Sequence, residues 1–302
     1  MDNAEVCKNN TPFLVLMVPV EPENVAARDA IRQTWGKDTV VQDKVVLTLF
    51  MLGLREGGDV EGLRQENEQH HDLIQSNFMD TYLNLTILTL FMLGLSGGAD
   101  VEGLRQENEQ HHDLIQSNFM DTYLNLTIKT MVIMDWLATR CPTAAYAMKV
   151  DSDMFLNIDN LVIMLKMPGI PEINYMTGRL MWNVPVIRSK DSKWYVPKEL
   201  YPYPQYPTYP LGMGYVFSND LPAKFVEVSK FVKPFNIEDA YIGECLKKLG
   251  LSLTSPPDSS QFKTYITIYD RCEFSQVITY ILGSSEQLIN YWIDYKRPGP
   301  HC

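Results

Sequence analysis

Phe13-Leu-Val-Leu-Met-Val-Pro-Val20 is an unbroken apolar run with β-branched members, and it leaves few folds open. It falls far short of the roughly 20 apolar residues that a membrane-spanning helix needs. A strand with one wet face would alternate apolar and polar residues, so this run predicts a strand covered on both faces, as in the centre of an α/β sheet. Pro19 limits its far end because proline brings no N–H to a ladder. After a turn, Glu21 to Trp35 reads as a helix with Val25, Ala26, Ala30 and Ile31 on one face and Arg28 and Arg32, four apart, on another. The result is a strand-loop-helix unit of the kind from which open, doubly covered sheets are built.

From Leu47 the chain repeats itself: Leu47 to Ile87 recurs as Leu88 to Ile128, an offset of 41 residues, with differences confined to Arg55/Ser96, Glu56/Gly97 and Gly58/Ala99. Solenoids need three or more diverged, stacked repeats, so two near-identical copies inside a non-repetitive chain point instead to a recent exon duplication or a gene-assembly error. Each copy carries a strand-like Leu-Thr-Leu-Phe-Met-Leu-Gly-Leu and ends in Tyr-Leu-Asn-Leu-Thr-Ile. Only the second runs on into Lys129 to Arg140, where Ile128, Met131, Met134, Leu137 and Ala138 extend an apolar stripe until Pro142. Copy two is therefore expected to supply a long core helix, with copy one either a surface insertion or a competitor for the same slot.

Ala144-Ala-Tyr-Ala-Met-Lys-Val150 is a second short buried strand, and it delivers Asp151-Ser-Asp153 to its carboxyl end, the edge where open α/β sheets bind ligands. Two carboxylates one residue apart can share a divalent cation with a diphosphate and a ribose. In so acidic a chain the same triplet also reads as a solvated turn; its position after an apolar strand is what lifts it. Tyr175 to Tyr215, dense in Trp, Tyr and Pro, cannot be one helix, and its aromatic rings suit either sugar stacking or core packing. Phe235 to Leu249 reads as a loop entering a helix, with Glu238 and Asp239 at the N-terminal end where the helix dipole favours anions. An acid there can serve as a general base or as a helix cap.

The net charge of -11 over 302 residues disfavours a nucleic-acid partner. The five cysteines form no CxxC pair, so two disulfides and one free thiol is the simplest oxidised reading. Asn9-Asn-Thr11, Asn84-Leu-Thr86 and Asn125-Leu-Thr127 match the N-glycosylation triplet, the last two being one duplicated signal. Met1 to Asn10 lacks the basic flank and apolar stretch of a signal peptide.

Taken in order, Ala30-Ile-Arg-Gln-Thr-Trp-Gly36, Tyr123-Leu-Asn-Leu-Thr-Ile-Lys-Thr130, Lys149-Val-Asp-Ser-Asp-Met-Phe155, Lys193-Trp-Tyr-Val-Pro197, Gly212-Met-Gly-Tyr-Val-Phe-Ser218 and Glu238-Asp-Ala-Tyr-Ile-Gly243 resemble the signature blocks of the β-1,3-galactosyltransferase family. The resemblance is nearest to members that add galactose to N-acetylglucosamine. It implies an α/β GT-A type fold with a mixed central sheet flanked by helices, UDP-galactose as donor, Mn²⁺, and inverting transfer to the 3-hydroxyl of a glycan acceptor on glycoproteins or glycolipids. It also implies a type II protein on the lumenal side of the Golgi membrane; the family's anchor is not met in this sequence. Residues 1–11 are expected as a stem remnant and 12–302 as the catalytic domain, with the duplication at 47–87 and 88–128.

By matching position, Asp153 is implied as metal ligand, Asp151 as ribose and metal contact, Asp239 as general base beside Glu238, and Arg28, Arg32 and Trp35 as members of the donor-side block. The resemblance also implies Cys7–Cys141 and Cys272–Cys302 bridges. Pro210 stands where family members often carry a cysteine, which leaves Cys245 unpaired. Ile281 stands where the family usually has a metal-binding histidine. That substitution motivates an alternative: a catalytically silent relative that binds a sugar or a protein.

Overall fold

A computed structural model describes residues 7, 11–21, 24–52, 66, 69–70, 73–75, 123–300 and 302. The predicted first strand is β1 (Leu14–Pro19), and its side chains split between two cores. Leu14, Leu16 and Val18 join one buried cluster with Ile31, Trp35 and Phe155, while Val15 and Met17 join the other with Ile133, Leu137, Phe225 and Ile242. Cover on both faces is what the unbroken apolar run requires.

Around β1 the chain lays down α1 (Val25–Gln33), β2 (Val40–Val41), β3 (Lys44–Leu52), β4 (Leu73–Gln75), α2 (Leu126–Arg140), β5 (Tyr146–Val150), β6 (Met154–Leu156), α3 (Ile158–Leu165), β7 (Met176–Met181), β8 (Tyr209–Ser218), α4 (Leu221–Ser229), α5 (Glu238–Leu249), α6 (Arg271–Gln276), β9 (Thr279–Ile281) and α7 (Ser285–Lys296). The sheet order is β2-β3-β1-β5-β8-β7, with β4 also on β3. β3, β1 and β5 run parallel; β8 and β7 run antiparallel to their neighbours, so the sheet is mixed. β6 and β9 form a separate two-stranded sheet. Helices α2, α4 and α5 pack together on one side, and α7 packs on α1 on the other.

The structure corrects three expectations. In α1 the buried residues are Ala27, Arg28, Ala30 and Ile31, whereas Val25 and Ala26 are exposed, so the inward face carries Arg28 instead of an apolar stripe alone. In α2 burial reaches beyond the predicted stripe to Thr127, Lys129, Thr130 and Trp136, because α4 and α5 flank the helix while the sheet lies beneath it. Copy one is not simply inserted: its Leu47–Leu52 forms most of β3, paired in parallel to β1 from Leu14↔Val46 to Pro19↔Met51. Copy two supplies Leu126–Ile128 at the start of α2, as expected.

The flanking sequence explains this division. Copy one alone follows Lys44-Val45-Val46, which start the strand, and copy two alone precedes Lys129-Thr130, which the helix needs. The strand expected in copy two, the triplets at Asn9 and Asn84, and His71, His111, His112 and His301 lie outside the described residues. Asn125 and Thr127 are buried, 3% and 5% exposed, so the folded chain offers no glycan acceptor at that triplet.

Both implied disulfides are present, Cys7–Cys141 with Cα atoms 5.2 Å apart and Cys272–Cys302 with 4.7 Å. Cys245 is free and buried, and burial pushes its thiol up to about 12, far from a reactive thiolate.

Candidate active site

β5 ends at Val150, and the Asp151 N–H donates to the Met213 carbonyl of β8 at 3.0 Å, fixing the start of the acidic turn. The turn leads directly into β6, whose Met154 pairs with Ile281 of β9, and Leu282 N–H donates to the Asp153 carbonyl at 2.9 Å. Trp35, fully buried, donates its indole N–H to the Met154 carbonyl at 3.0 Å. Trp35 therefore braces the backbone that carries Asp153.

Asp153 is exposed at the rim. The protein packed around its carboxyl and, next, the charge on Asp151 push its pKa up. The Asp151 charge therefore destabilises the charged form of Asp153, a repulsion that a cation between them would relieve. Among the described residues no group of three or more His, Cys, Asp or Glu could hold a metal ion, and Ile281 brings no donor atom to the strand facing Asp153. Among the described residues Asp151 and Asp153 thus supply the oxygens that this turn can offer a divalent ion, two carboxylates and not a closed protein cage.

Glu238 and Asp239 begin α5, after the extended Ile237, so they occupy its first turn and not its cap position. Glu238 is buried: its Oε2 accepts from Thr130 at 3.0 Å and Tyr215 at 3.2 Å, and its Oε1 lies 3.2 Å from the Lys149 ammonium. Asp239 is partly open to solvent and accepts from the Gly212 N–H at 2.9 Å and the Ala240 N–H at 2.8 Å. Burial and then the Glu238 charge raise the Asp239 carboxyl to about 7, even though those two N–H groups and Lys149 pull it down. An acid tuned close to neutrality suits proton abstraction from a hydroxyl.

Lys149, one residue before the end of buried β5, ties the two acidic groups together. Its Nζ donates to Asp151 Oδ1 at 2.5 Å and to the Gly212 carbonyl at 2.5 Å. Burial pulls the ammonium down, but the charges of Asp151 and Glu238 outweigh it and hold the group above the usual lysine range. A Cβ at Gly212 would sit 2.9 Å from Glu238 Oε1 and 3.3 Å from Asp239 Oδ2, so any larger residue there would displace the acidic pair.

The amino end of α2 completes the support. Thr127 donates to the Phe235 carbonyl at 2.6 Å, Lys129 to the Val20 carbonyl at 2.8 Å, and Thr130 to Glu238. One helix turn therefore holds both the loop before the acidic pair and the end of β1. Lys149, Gly212, Thr130 and Tyr215 were not singled out from the sequence. The lysine interrupting an otherwise apolar strand was the available signal, since a buried ammonium demands anionic partners.

Arg28 and Arg32, the implied donor-side arginines, both bond Glu66 of copy one. Arg28, fully buried, grips Glu66 with Nε to Oε1 at 2.6 Å and Nη2 to Oε2 at 2.5 Å, and donates to the Glu21 carbonyl at 3.0 Å. Arg32 also bonds Glu66, reaches Asp29 at 3.2 Å and lies over the Phe50 ring at 5.0 Å. Tyr201, Tyr206 and Tyr209 of the aromatic stretch are packed in the core, whereas Trp182 and Trp194 are 58% and 51% exposed.

A doubly covered mixed sheet, with paired carboxylates just past β5 that are linked through Lys149 and Gly212 to a partly open acid at the start of α5, matches the α/β fold of the GT-A type. Comparison narrows the class. The family profile described as galactosyltransferase matches residues 26–94 and again 86–257, so its pattern is met on both sides of the seam between the copies.

Beta-1,3-galactosyltransferase 2 of Mus musculus is 37% identical over 97% of this chain, and that of Homo sapiens 38% identical over 97%. Beta-1,3-galactosyltransferase 1 of Mus musculus is 34% identical over 95% of the chain and 75% of its own length. The chain belongs to the galactosyltransferase family. It spans 60% of the length of the two first-named relatives. The apo structure of the bifunctional glycosyltransferase WbbM aligns with 82% of this chain and 39% of its own at TM-score 0.39 and 11% identity.

Proposed function

We propose that this chain transfers galactose from UDP-galactose to the 3-hydroxyl of a terminal N-acetylglucosamine-type acceptor, with inversion at the anomeric carbon. The observation that carries the reading is Asp239: a partly open carboxyl raised towards neutrality and tied through Glu238, Gly212 and Lys149 to the Asp151–Asp153 turn. In this reading Asp239 takes the proton of the acceptor hydroxyl as that oxygen bonds to the anomeric carbon and the sugar–phosphate bond breaks, releasing UDP. A divalent ion such as Mn²⁺, held by Asp153 with Asp151 in its shell and at the ribose, would neutralise the leaving diphosphate. Arg28, Arg32 and Trp35 brace the donor side: Trp35 through the Met154 carbonyl and the arginines through Glu66.

The two disulfides support work in an oxidising compartment, and we place the protein on the lumenal side of the Golgi membrane. No helix among the described residues is long and apolar enough to cross a membrane. A second reading, a silent relative that binds sugar or protein, is favoured by Ile281, which faces Met154 beside the acidic turn without a donor atom.

The test is transfer from UDP-galactose to a β-N-acetylglucosaminide with and without Mn²⁺, for the parent, Asp153→Ala, Asp239→Ala and Ile281→His. Metal-dependent transfer that both alanine variants abolish, at unchanged melting temperature, supports the enzyme. A silent parent with turnover appearing in Ile281→His supports the second reading. Silence in both rejects the galactosyl-transfer reading for this chain.

A further inference from the structure

We propose that Lys149 is a positioning residue that sets the distance between the donor-side carboxylates and the base, a role that rests on the transfer reading above. Its ammonium touches three separately built elements: the turn after β5 through Asp151 Oδ1 at 2.5 Å, the β8 backbone through the Gly212 carbonyl at 2.5 Å, and the first turn of α5 through Glu238 Oε1 at 3.2 Å. Its side chain is 4% exposed and Glu238's is 6% exposed, so water cannot readily replace these contacts.

None of the three elements is sequence-adjacent to another except through Lys149's own strand. β8 is antiparallel to β5, with Lys149 opposite Tyr215, and α5 follows β8 only after α4 and a loop. Gly212 brings α5 close enough for contact, because a side chain at that position would strike both Glu238 and Asp239. Asp239 holds its place partly through the Gly212 N–H, whose own carbonyl accepts from Lys149. Moving the ammonium therefore shifts the acidic turn and the base relative to each other.

Reaction rates are steep in such a separation: a misplacement of about 1 Å costs on the order of 100-fold. A lysine serving only to neutralise Glu238 would become dispensable once that glutamate is uncharged. A positioning lysine would not, because its bonds to Asp151 and Gly212 remain its own.

The experiment compares the parent, Glu238→Gln, Lys149→Met and the double variant Lys149→Met/Glu238→Gln. Each is assayed for kcat and acceptor KM with UDP-galactose, a β-N-acetylglucosaminide and Mn²⁺, and the parent and the double variant are crystallised. Lys149→Met alone leaves a buried carboxylate unpaired and can fail to fold, so the double variant carries the decision. The proposal expects it to fold, with kcat at least about tenfold below Glu238→Gln, acceptor KM within about threefold, and the Asp151–Asp239 separation changed by about 1 Å. Equal kcat in the double variant and Glu238→Gln overturns the proposal while leaving the transfer reading intact. A parent without transfer overturns the transfer reading instead, and the crystallographic separation then decides the tether: unchanged in the double variant, it overturns the proposal as well.

Discussion

Replacing Glu66 by glutamine removes the negative charge that two arginines share. Arg28 is fully buried and meets both Glu66 oxygens, at 2.6 Å and 2.5 Å, while Arg32 meets one of them. After the change Arg28 keeps the Glu21 carbonyl at 3.0 Å and meets a neutral amide in place of the Glu66 carboxylate, and Arg32 still has Asp29 at 3.2 Å and the Phe50 ring. Breaking a buried ion pair by removing one partner costs about 3–5 kcal/mol, and the retained amide oxygen places this variant near the low end, at about 3 kcal/mol.

The pH dependence has a definite sign. Burial pushes the Glu66 carboxyl up, but hydrogen bonds and charge from Arg28 and then Arg32 outweigh it and hold the folded pKa below the usual value. The contribution is thus complete above the unfolded pKa, roughly 4.3, and is lost as pH falls through the folded value. Urea unfolding should show a deficit of about 3 kcal/mol at pH 7 that shrinks towards pH 3. Glu107, the same position in copy two, is the control: Glu107→Gln should cost clearly less than Glu66→Gln. A deficit in Glu107→Gln that equals or exceeds that of Glu66→Gln would refute the assignment of copy one to this ion pair.

Deleting residues 47–87 joins Val46 to Leu88, restores the strand sequence through Leu95 and puts Glu107 in the place of Glu66. Loop-closure entropy changes by under about 1 kcal/mol, so the melting temperature should hold or rise, and a marked loss of folded protein would show that the extra copy has a structural task. Gly212→Ala introduces a Cβ 2.9 Å from Glu238 Oε1 and 3.3 Å from Asp239 Oδ2, so kcat should drop at least about tenfold in a folded protein; a change under twofold would mean the carboxylates yield freely.

The Asp239 carboxyl, raised to about 7 by burial and then Glu238, must lose its proton to act as a base, so kcat/KM should climb with pH through that region. Glu238→Gln should move the rise to lower pH. The stability contribution of the same group runs the other way, full below its unfolded pKa and lost as pH approaches about 7. A kcat/KM profile flat from pH 5.5 to 8 would remove Asp239 from the role.

What the sequence revealed and what it hid follow from the range over which each feature is determined. β1 and β5 were legible because burial on both faces writes itself into consecutive residues, and the acidic turn was legible because it follows β5 directly. Arg28 was not, because its inward orientation depends on Glu66, 38 residues away in a segment with a near-identical second copy. Nothing within the copies distinguishes one from the other at Glu66. The flanks do: Lys44-Val45-Val46 extend the strand of copy one, and Lys129 and Thr130 pin the Val20 carbonyl and Glu238 from the end of copy two.

Lys149 lies between these cases. Its oddity was local, one charge inside an apolar strand, but its meaning came from Gly212 and Glu238, elements that only the mixed sheet brings beside β5. The same holds for Ile281, a plain apolar residue until β9 pairs with β6 and sets it against Met154, one residue past Asp153. A buried strand announces itself in its own residues, whereas a site assembled from β5, β8, α2, α5 and β9 is defined by pairings between distant segments. Within a strand the informative residues are therefore those that break its pattern, because a buried charge such as Lys149 exists only where another segment supplies its counter-charge.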